Sequence, residues 1–196
     1  MLTAIVILAA GEGRRMGSIK QLLPWGQTTL LAHTVRQAVA CPESYTYVVL
    51  GANKELLEKE LEGLNVNLIY NADYPEGLGS SIRAAARHIL TEETIPFTHL
   101  LVMLADQPAV NTSFLSLLLL TAKDHPGAVA TDYGDHAGVP AIFPAASFAA
   151  LEQLGGDAGA GRLLNAAETG TLRLTPPFAM FDIDTPEDYR RHEGNS

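Results

Sequence analysis

Short apolar runs rich in β-branched residues alternate with longer segments of helical period, and this alternation limits the fold more than any other feature of the chain. The runs are Ala4 to Leu8, Tyr45 to Leu50, Val66 to Tyr70, Leu100 to Leu104 and Ala128 to Thr131. The helical segments are Thr29 to Ala40, Lys54 to Glu62, Ser80 to Leu90 and Thr112 to Ala122. Strands separated by helices pair by crossover, so the pattern predicts an α/β fold with a mostly parallel sheet and helices on both faces. With 196 residues, 47% of them hydrophobic and 18% charged, the chain has the length of one domain and enough apolar side chains to bury a core. A single domain over residues 1–196 is predicted.

The second half is less regular. Turn signals gather at Tyr133-Gly134-Asp135, Gly138-Val139-Pro140 and Gly155-Gly156-Asp157. Helices are predicted over Ala145 to Leu154 and Gly161 to Glu168, with short strands near Leu172 and Phe181. A last helix opens at Thr185-Pro186-Glu187, with Thr as cap, Pro in the first position and acids in the first turn.

Thirteen Lys and Arg against 22 Asp and Glu give a net charge of -9, which disfavours nucleic acid and anionic membranes because both are polyanions. Small molecules are the predicted ligands. The N-terminal run lacks the charged leader of a signal peptide, and no run approaches the roughly 18 apolar residues of a membrane span. A lone cysteine, Cys41, allows no internal disulfide and fits the cytoplasm. The sign of charge is uneven, however. No acid stands between Glu12 and Glu43, whereas Arg14, Arg15, Lys20 and Arg36 do.

Open parallel sheets bind ligands at the carboxyl ends of their strands, which directs attention to the loops after Leu8, Leu50, Tyr70 and Leu104. The first of these reads Ala9-Ala10-Gly11-Glu12-Gly13-Arg14-Arg15-Met16-Gly17-Ser18-Ile19-Lys20. Its glycines let backbone N–H groups approach a phosphate, and its cations offset the charge. A dinucleotide fingerprint fails because the third glycine comes one residue late and no ribose-binding acid follows about 20 residues on. A P-loop fails because Lys20 lies beyond the required place and is followed by Gln21. A third reading is a longer loop that wraps a triphosphate, with Arg15 and Lys20 neutralising it, beside the plainer one of an ordinary glycine loop with solvated Arg and Lys.

The run Leu8-Ala9-Ala10-Gly11-x-Gly13-x-Arg15-Met16-Gly17-x-x-Lys20 resembles the signature of the MobA-like nucleotidyltransferases, and Gln21-Leu22-Leu23-Pro24 resembles the molybdenum cofactor cytidylyltransferase branch. The resemblance implies a Rossmann-like, doubly wound fold of the nucleotide-diphospho-sugar transferase type. It also implies transfer of NMP from an NTP, CTP in that branch, to the phosphate of molybdopterin. Leu8, Ala9, Ala10, Gly11, Gly13, Arg15 and Lys20 then bind the nucleotide, with Lys20, Arg15 and Asp106 in catalytic roles.

Asp106 stands just past an apolar strand, in Leu104-Ala105-Asp106-Gln107-Pro108, which resembles the family segment whose aspartate binds Mg²⁺. A bare carboxylate about 4 Å from a phosphate charge costs roughly 4 kcal/mol at an effective dielectric of about 20, so a cation must intervene. Magnesium takes one or two carboxylates and completes its shell with phosphate and water. Asp182 and Asp184 share a face in strand geometry. Asp184 is preferred as second ligand because it matches an Asp-Thr-Pro-Glu-Asp ending, and the choice between the two stays open.

On the base side, Asn71, Gly79, Ser80 and Ser81 belong to a segment resembling the family's Gly-x-x-Ser-Ser element, and Gly51 borders it. On the acceptor side, Gly138 and Pro140 resemble a Gly-x-Pro element, while Arg162 follows Gly156-Asp157-Ala158-Gly159-Ala160-Gly161, close to a Gly-Asp-x-Gly-Ala-Arg element. His136 reads as a loop residue. The family implies a molybdoenzyme or its maturation chaperone as a protein partner. A sugar- or alcohol-phosphate acceptor, or a non-catalytic nucleotide or pterin carrier, are the rival readings.

Overall fold

The first strand, β1 (Thr3–Leu8), is buried along its whole length, and its neighbours explain why. It pairs in parallel with β4 (Ser44–Leu50) on one side and β6 (His99–Leu104) on the other, so both of its faces lie under helices. This is a computed structural model, which describes residues 1–156, 159–166 and 170–192. Seven strands form one sheet in the order β5-β4-β1-β6-β8-β7-β9, where β5 is Asn67–Tyr70, β7 Val129–Asp132, β8 Ala137–Pro144 and β9 Leu172–Leu174. Among the described residues only β8 runs antiparallel to its neighbours. The expected mostly parallel sheet is therefore present. A separate two-stranded hairpin joins β2 (Pro24–Trp25) to β3 (Thr28–Thr29).

The period of two in β1 sorts its side chains between two cores. Val6 and Leu8 join Val49, Val102 and Phe143 beneath α3 (Leu78–Thr91) and α5 (Phe148–Glu152). Ile5 and Ile7 join Val48, Leu101 and Met103 beneath α1 (Leu30–Val39), α2 (Lys54–Glu60) and α4 (Thr112–Ala122). Thr29 and Asn111 cap α1 and α4 by accepting from the amides of Ala32 and Phe114. No helix among the described residues is long and apolar enough to cross a membrane.

A third, smaller cluster of Trp25, Leu30 and Ile183 anchors the C-terminal segment to the hairpin. Ile183 is fully buried, a contribution of roughly 1.5 to 3 kcal/mol, and its amide donates to the Asp106 carbonyl at 2.9 Å. That plug brings Asp182 and Asp184 to the end of β6. Behind it, α7 (Pro186–His192) opens on the expected Thr185 cap. The cap is reciprocal, because Asp188 accepts from the Thr185 amide while its own amide donates to the Thr185 hydroxyl.

Three predicted elements differ. Gly138-Val139-Pro140, read as a turn, lies inside β8, where the register with β7 jumps from Ala130↔Ala141 to Thr131↔Gly138. Val139 and Pro140 occupy that irregularity, where a residue lacking an N–H is tolerated in a sheet. No strand forms at Phe181, whose segment is held by the third cluster rather than by a ladder. The helix expected from Gly161 is observed as α6 (Gly161–Leu164), and residues 167–169 of that prediction lie outside the described residues.

Candidate active site

The glycine-rich loop leaves β1 still tied to the sheet, since the Ala9 amide donates to Val49 and the Ala10 carbonyl accepts from Ala52. It then turns through Gly13 and Gly17, both in the left-handed region with φ of 66° and 67°, where glycine carries no steric penalty. Gln21 holds the loop from below. Its buried Nε2 donates to the carbonyls of Ala9 and Gly11 at 3.2 and 2.9 Å, so these carbonyls point inward, toward the side chain. Gln21 escaped notice as a site residue, although it opens the Gln21-Leu22-Leu23-Pro24 resemblance.

Lys20 starts a short 3-10 turn on the far side of this loop. Its Nζ lies 2.5 Å from Asp106 Oδ2 and 3.0 Å from Asp184 Oδ1. Arg15 Nη2 reaches the other oxygen of Asp184 at 3.1 Å. Burial opposes the charge on Lys20, yet Asp106 and then Asp184 outweigh it and hold its pKa above the ordinary lysine value. Asp106 Oδ1 is buried with no hydrogen-bond partner, so this carboxylate keeps one oxygen uncommitted at the centre of the site. Two cations and two carboxylates thus meet at the carboxyl ends of β1 and β6.

These groups line a cleft of about 360 Å³ together with Leu8, Ala9, Ala10, Gly11 and Ser81. Gly13 lies on an adjoining depression that shares Tyr74 with the cleft. Gly51 backs the Tyr74 ring, which leaves no space for a side chain there. Asn71 and Ser80 are buried and bonded to each other, Asn71 Nδ2 donating to the hydroxyls of Ser80 and Ser81 at 2.9 and 3.1 Å. Gly79 is also buried, its amide donating to the Gly156 carbonyl. Asn71 and Ser80 thus shape the segment from behind, and both line a different, larger groove of about 490 Å³ along β5 and α3. That groove holds none of the Lys20, Asp106 and Asp184 chemistry.

A second hollow of about 250 Å³ adjoins the cleft and shares Leu8, Leu78, Leu104 and Asp182 with it. Gly138 lies here under the Tyr133 ring, and Tyr133 stacks on His136 with centroids 5.1 Å apart. Pro140 is buried in the sheet, its carbonyl accepting from Thr131, and Arg162 stands exposed on α6; neither lines this hollow. Asp157 lies outside the described residues. Asp182 is held apart from Asp184 by Gln107, whose Nε2 donates to Asp182 Oδ1 at 2.9 Å. Desolvation by the surrounding protein raises the Asp182 pKa, the charges of Asp106 and Asp184 add to the rise, and the Gln107 bond opposes it. Burial, with the charge of Asp182, pushes the Tyr133 phenol up to about 12. Gln107 and Tyr133 were missed because neither carries a motif of its own.

Among the described residues no three His, Cys, Asp or Glu side chains converge as a complete metal cage. The pair Asp106 and Asp184 still suits a hard cation, since Asp106 has a buried orphan oxygen and the two carboxylates lie close enough together to share one ammonium. A cation that takes most of its ligands from a nucleotide needs no more protein than this.

Comparison with known proteins agrees with this geometry. The molybdenum cofactor cytidylyltransferase of Escherichia coli K12 is 26% identical over 184 residues, covering 94% of this chain and 92% of its own. The purine catabolism protein PucB of Bacillus subtilis 168 is 28% identical with the same coverage. The crystal structure of Rv0371C in complex with manganese, from Mycobacterium tuberculosis H37Rv, superposes with a TM-score of 0.83 at 26% identity, covering all of both chains. The model of the MobA-like NTP transferase domain matches residues 5–171, so the chain belongs to that family and is a nucleotidyltransferase.

Proposed function

We propose that this chain, working as one domain over residues 1–196, transfers CMP from CTP to the phosphate of molybdopterin and releases pyrophosphate. The observation that carries the reading is the bridge of Lys20 between Asp106 and Asp184, set against a glycine-rich loop at the carboxyl end of the central strand. The cytidylyltransferase relative supports the choice of donor and acceptor, and the manganese complex of the mycobacterial neighbour supports a divalent cation.

In this reading an oxygen of the acceptor phosphate attacks the α-phosphorus of CTP, a new P–O bond forms, and the bond to the β-phosphate oxygen breaks. No general base is needed, because the acceptor phosphate is already ionised at neutral pH. The amides of the glycine-rich loop bind the triphosphate, with Leu8 and Ala9 lining its pocket, while Lys20 and Arg15 neutralise it. Gly51, Asn71, Gly79, Ser80 and Ser81 form the base side, Asn71 and Ser80 acting from behind the surface. Gly138 stands on the acceptor side, with Pro140 behind it in the sheet and Arg162 beyond the rim of the hollow. Asp106 and Asp184 would hold Mg²⁺, which when bound supplies charge neutralisation between the carboxylates and the phosphates. The protein's own contribution is to position the two phosphates and offset their charge.

A cytoplasmic setting is part of the proposal, supported by the unpaired, buried Cys41, as is delivery of the product to a molybdoenzyme or its maturation chaperone. The test is pyrophosphate release from CTP, GTP and ATP with Mg²⁺ and either molybdopterin or a panel of sugar phosphates. Release with CTP and molybdopterin supports the reading. Release only with a sugar phosphate replaces the acceptor, and nucleotide binding without release with any acceptor favours a carrier.

A further inference from the structure

Gln107 sits at the seam between the cleft and the neighbouring hollow, 3% exposed. Its Nε2 has two hydrogens and two acceptors, Tyr133 Oη at 3.1 Å and Asp182 Oδ1 at 2.9 Å. The Tyr133 hydrogen is directed to the Val139 carbonyl at 2.7 Å, so its oxygen can only accept from Gln107. A flipped amide would set Oε1 against the Asp182 carboxylate, which fixes the orientation. One side chain therefore sets two walls. Asp182 lines both hollows, and Tyr133 lies on Gly138, where a Cβ would stand 2.7 Å from its ring.

We infer that Gln107 is a positioning residue for the acceptor: it holds Asp182 and Tyr133 on the walls of the smaller hollow, with Asp182 Oδ2 offered to an N–H or O–H donor of the acceptor's body. This rests on the proposed function and names how that site reads its second substrate. Asp182 Oδ2 has no hydrogen-bond partner among the described residues. Among the described residues no Lys or Arg lines this hollow, so it suits an acceptor whose negative charge is confined to the phosphate end while its body donates hydrogen bonds. Asp182 is the member of the network that also borders the cleft holding Lys20 and Arg15, whereas Gln107 and Tyr133 do not line it.

The test is equilibrium dialysis of molybdopterin and, separately, of CTP against the wild type, Gln107→Met, Asp182→Ala and the double variant. Gln107→Met keeps the volume and removes both donors. Molybdopterin should bind about tenfold more weakly to Gln107→Met while CTP affinity stays within about twofold. The double variant should lose less than the product of the two single losses, because part of what Gln107 does runs through Asp182 and the effects are then non-additive. Equal weakening of both ligands, unchanged molybdopterin binding, or effects that multiply would overturn the assignment and leave the proposed function standing. A wild type that binds CTP but not molybdopterin refutes the acceptor reading and the positioning role with it. Should Gln107→Met fail to fold, Gln107→Glu carries the same comparison, since a carboxylate there repels Asp182.

Discussion

The side chain of Tyr74 rests on the backbone of Gly51, where an added Cβ would stand 2.7 Å from Tyr74 Cβ and Cγ and 2.9 Å from Ala10 Cβ. Neither neighbour can yield cheaply, because both belong to segments that wall the cleft. Gly51→Ala should therefore destabilise the fold by about 1 to 3 kcal/mol, the usual cost of overpacking, read as a lower midpoint in thermal or urea unfolding. Gly11→Ala is the contrasting variant. A Cβ at Gly11 meets nothing within 4 Å, so stability should be unchanged, but the methyl enters the space assigned to phosphate and should weaken nucleotide binding. Equal unfolding midpoints for the two variants would show that the packing at Gly51 carries no strain.

Cys41 is 4% exposed, and burial pushes its thiol up to about 11 from an ordinary value near 9.0. The thiolate is the reactive form, so the native protein should react with a disulfide reagent at pH 8 far more slowly than the unfolded chain. The sign of the linkage follows. With the folded pKa raised, the stabilising contribution is complete below the unfolded value and is lost as pH climbs through about 11. Titration by urea unfolding at pH 8 and pH 10.5 should show a smaller alkaline loss in Cys41→Ala than in the wild type.

Much of this architecture is legible in the chain because the β1 neighbourhood is buried on both faces, which forces a near-continuous apolar run at Ala4 to Leu8 and again at Leu100 to Leu104. The Lys20 and Asp106 ends of the site are legible for the same reason, as polar residues that follow such runs. What is not legible depends on tertiary context. Gly138 and Pro140 signal a turn locally, and only the register shift against β7 makes a strand of them. Asp182 and Asp184 look equivalent by periodicity, and what separates them is Gln107 on one and Lys20 with Arg15 on the other. Those partners are distant in sequence, so no spacing rule reveals them.

Asn165 illustrates a second such contact. Its carboxamide pairs with the backbone of Ala137 at the start of β8, accepting from the amide and donating to the carbonyl, each at 2.8 Å. The side chain thus imitates a neighbouring strand at a residue that is fully buried. Asn165→Leu should leave both groups unpaired and cost about 1 to 3 kcal/mol. Hydrogen exchange should rise first at Ala137. Unchanged protection there would mean that water or another backbone group takes over both bonds.

Lys20 and Asp106 form the closest ion pair of the cleft, and two substitutions separate their proposed roles. Lys20→Ala removes a cation that would meet charge developing on the phosphates, and by comparison with a lost oxyanion donor it should reduce turnover by roughly 3 to 4 kcal/mol of transition-state stabilisation. Asp106→Ala removes the oxygen that is buried without a partner and should abolish turnover that depends on Mg²⁺. The two also differ in what they leave behind. After Asp106→Ala, Lys20 still has Asp184 at 3.0 Å, so the fold keeps a neutralised pair. After Lys20→Ala, the Asp106 carboxylate loses its cation in a site where it is only 17% exposed. The raised lysine pKa means that the pairing acts in full at neutral pH and is lost only as pH rises through the folded value, above the ordinary lysine range. A pH profile of unfolding should therefore be steeper on its alkaline side for the wild type than for Lys20→Ala. Near-normal pyrophosphate release by either variant would remove that residue from the catalytic machinery.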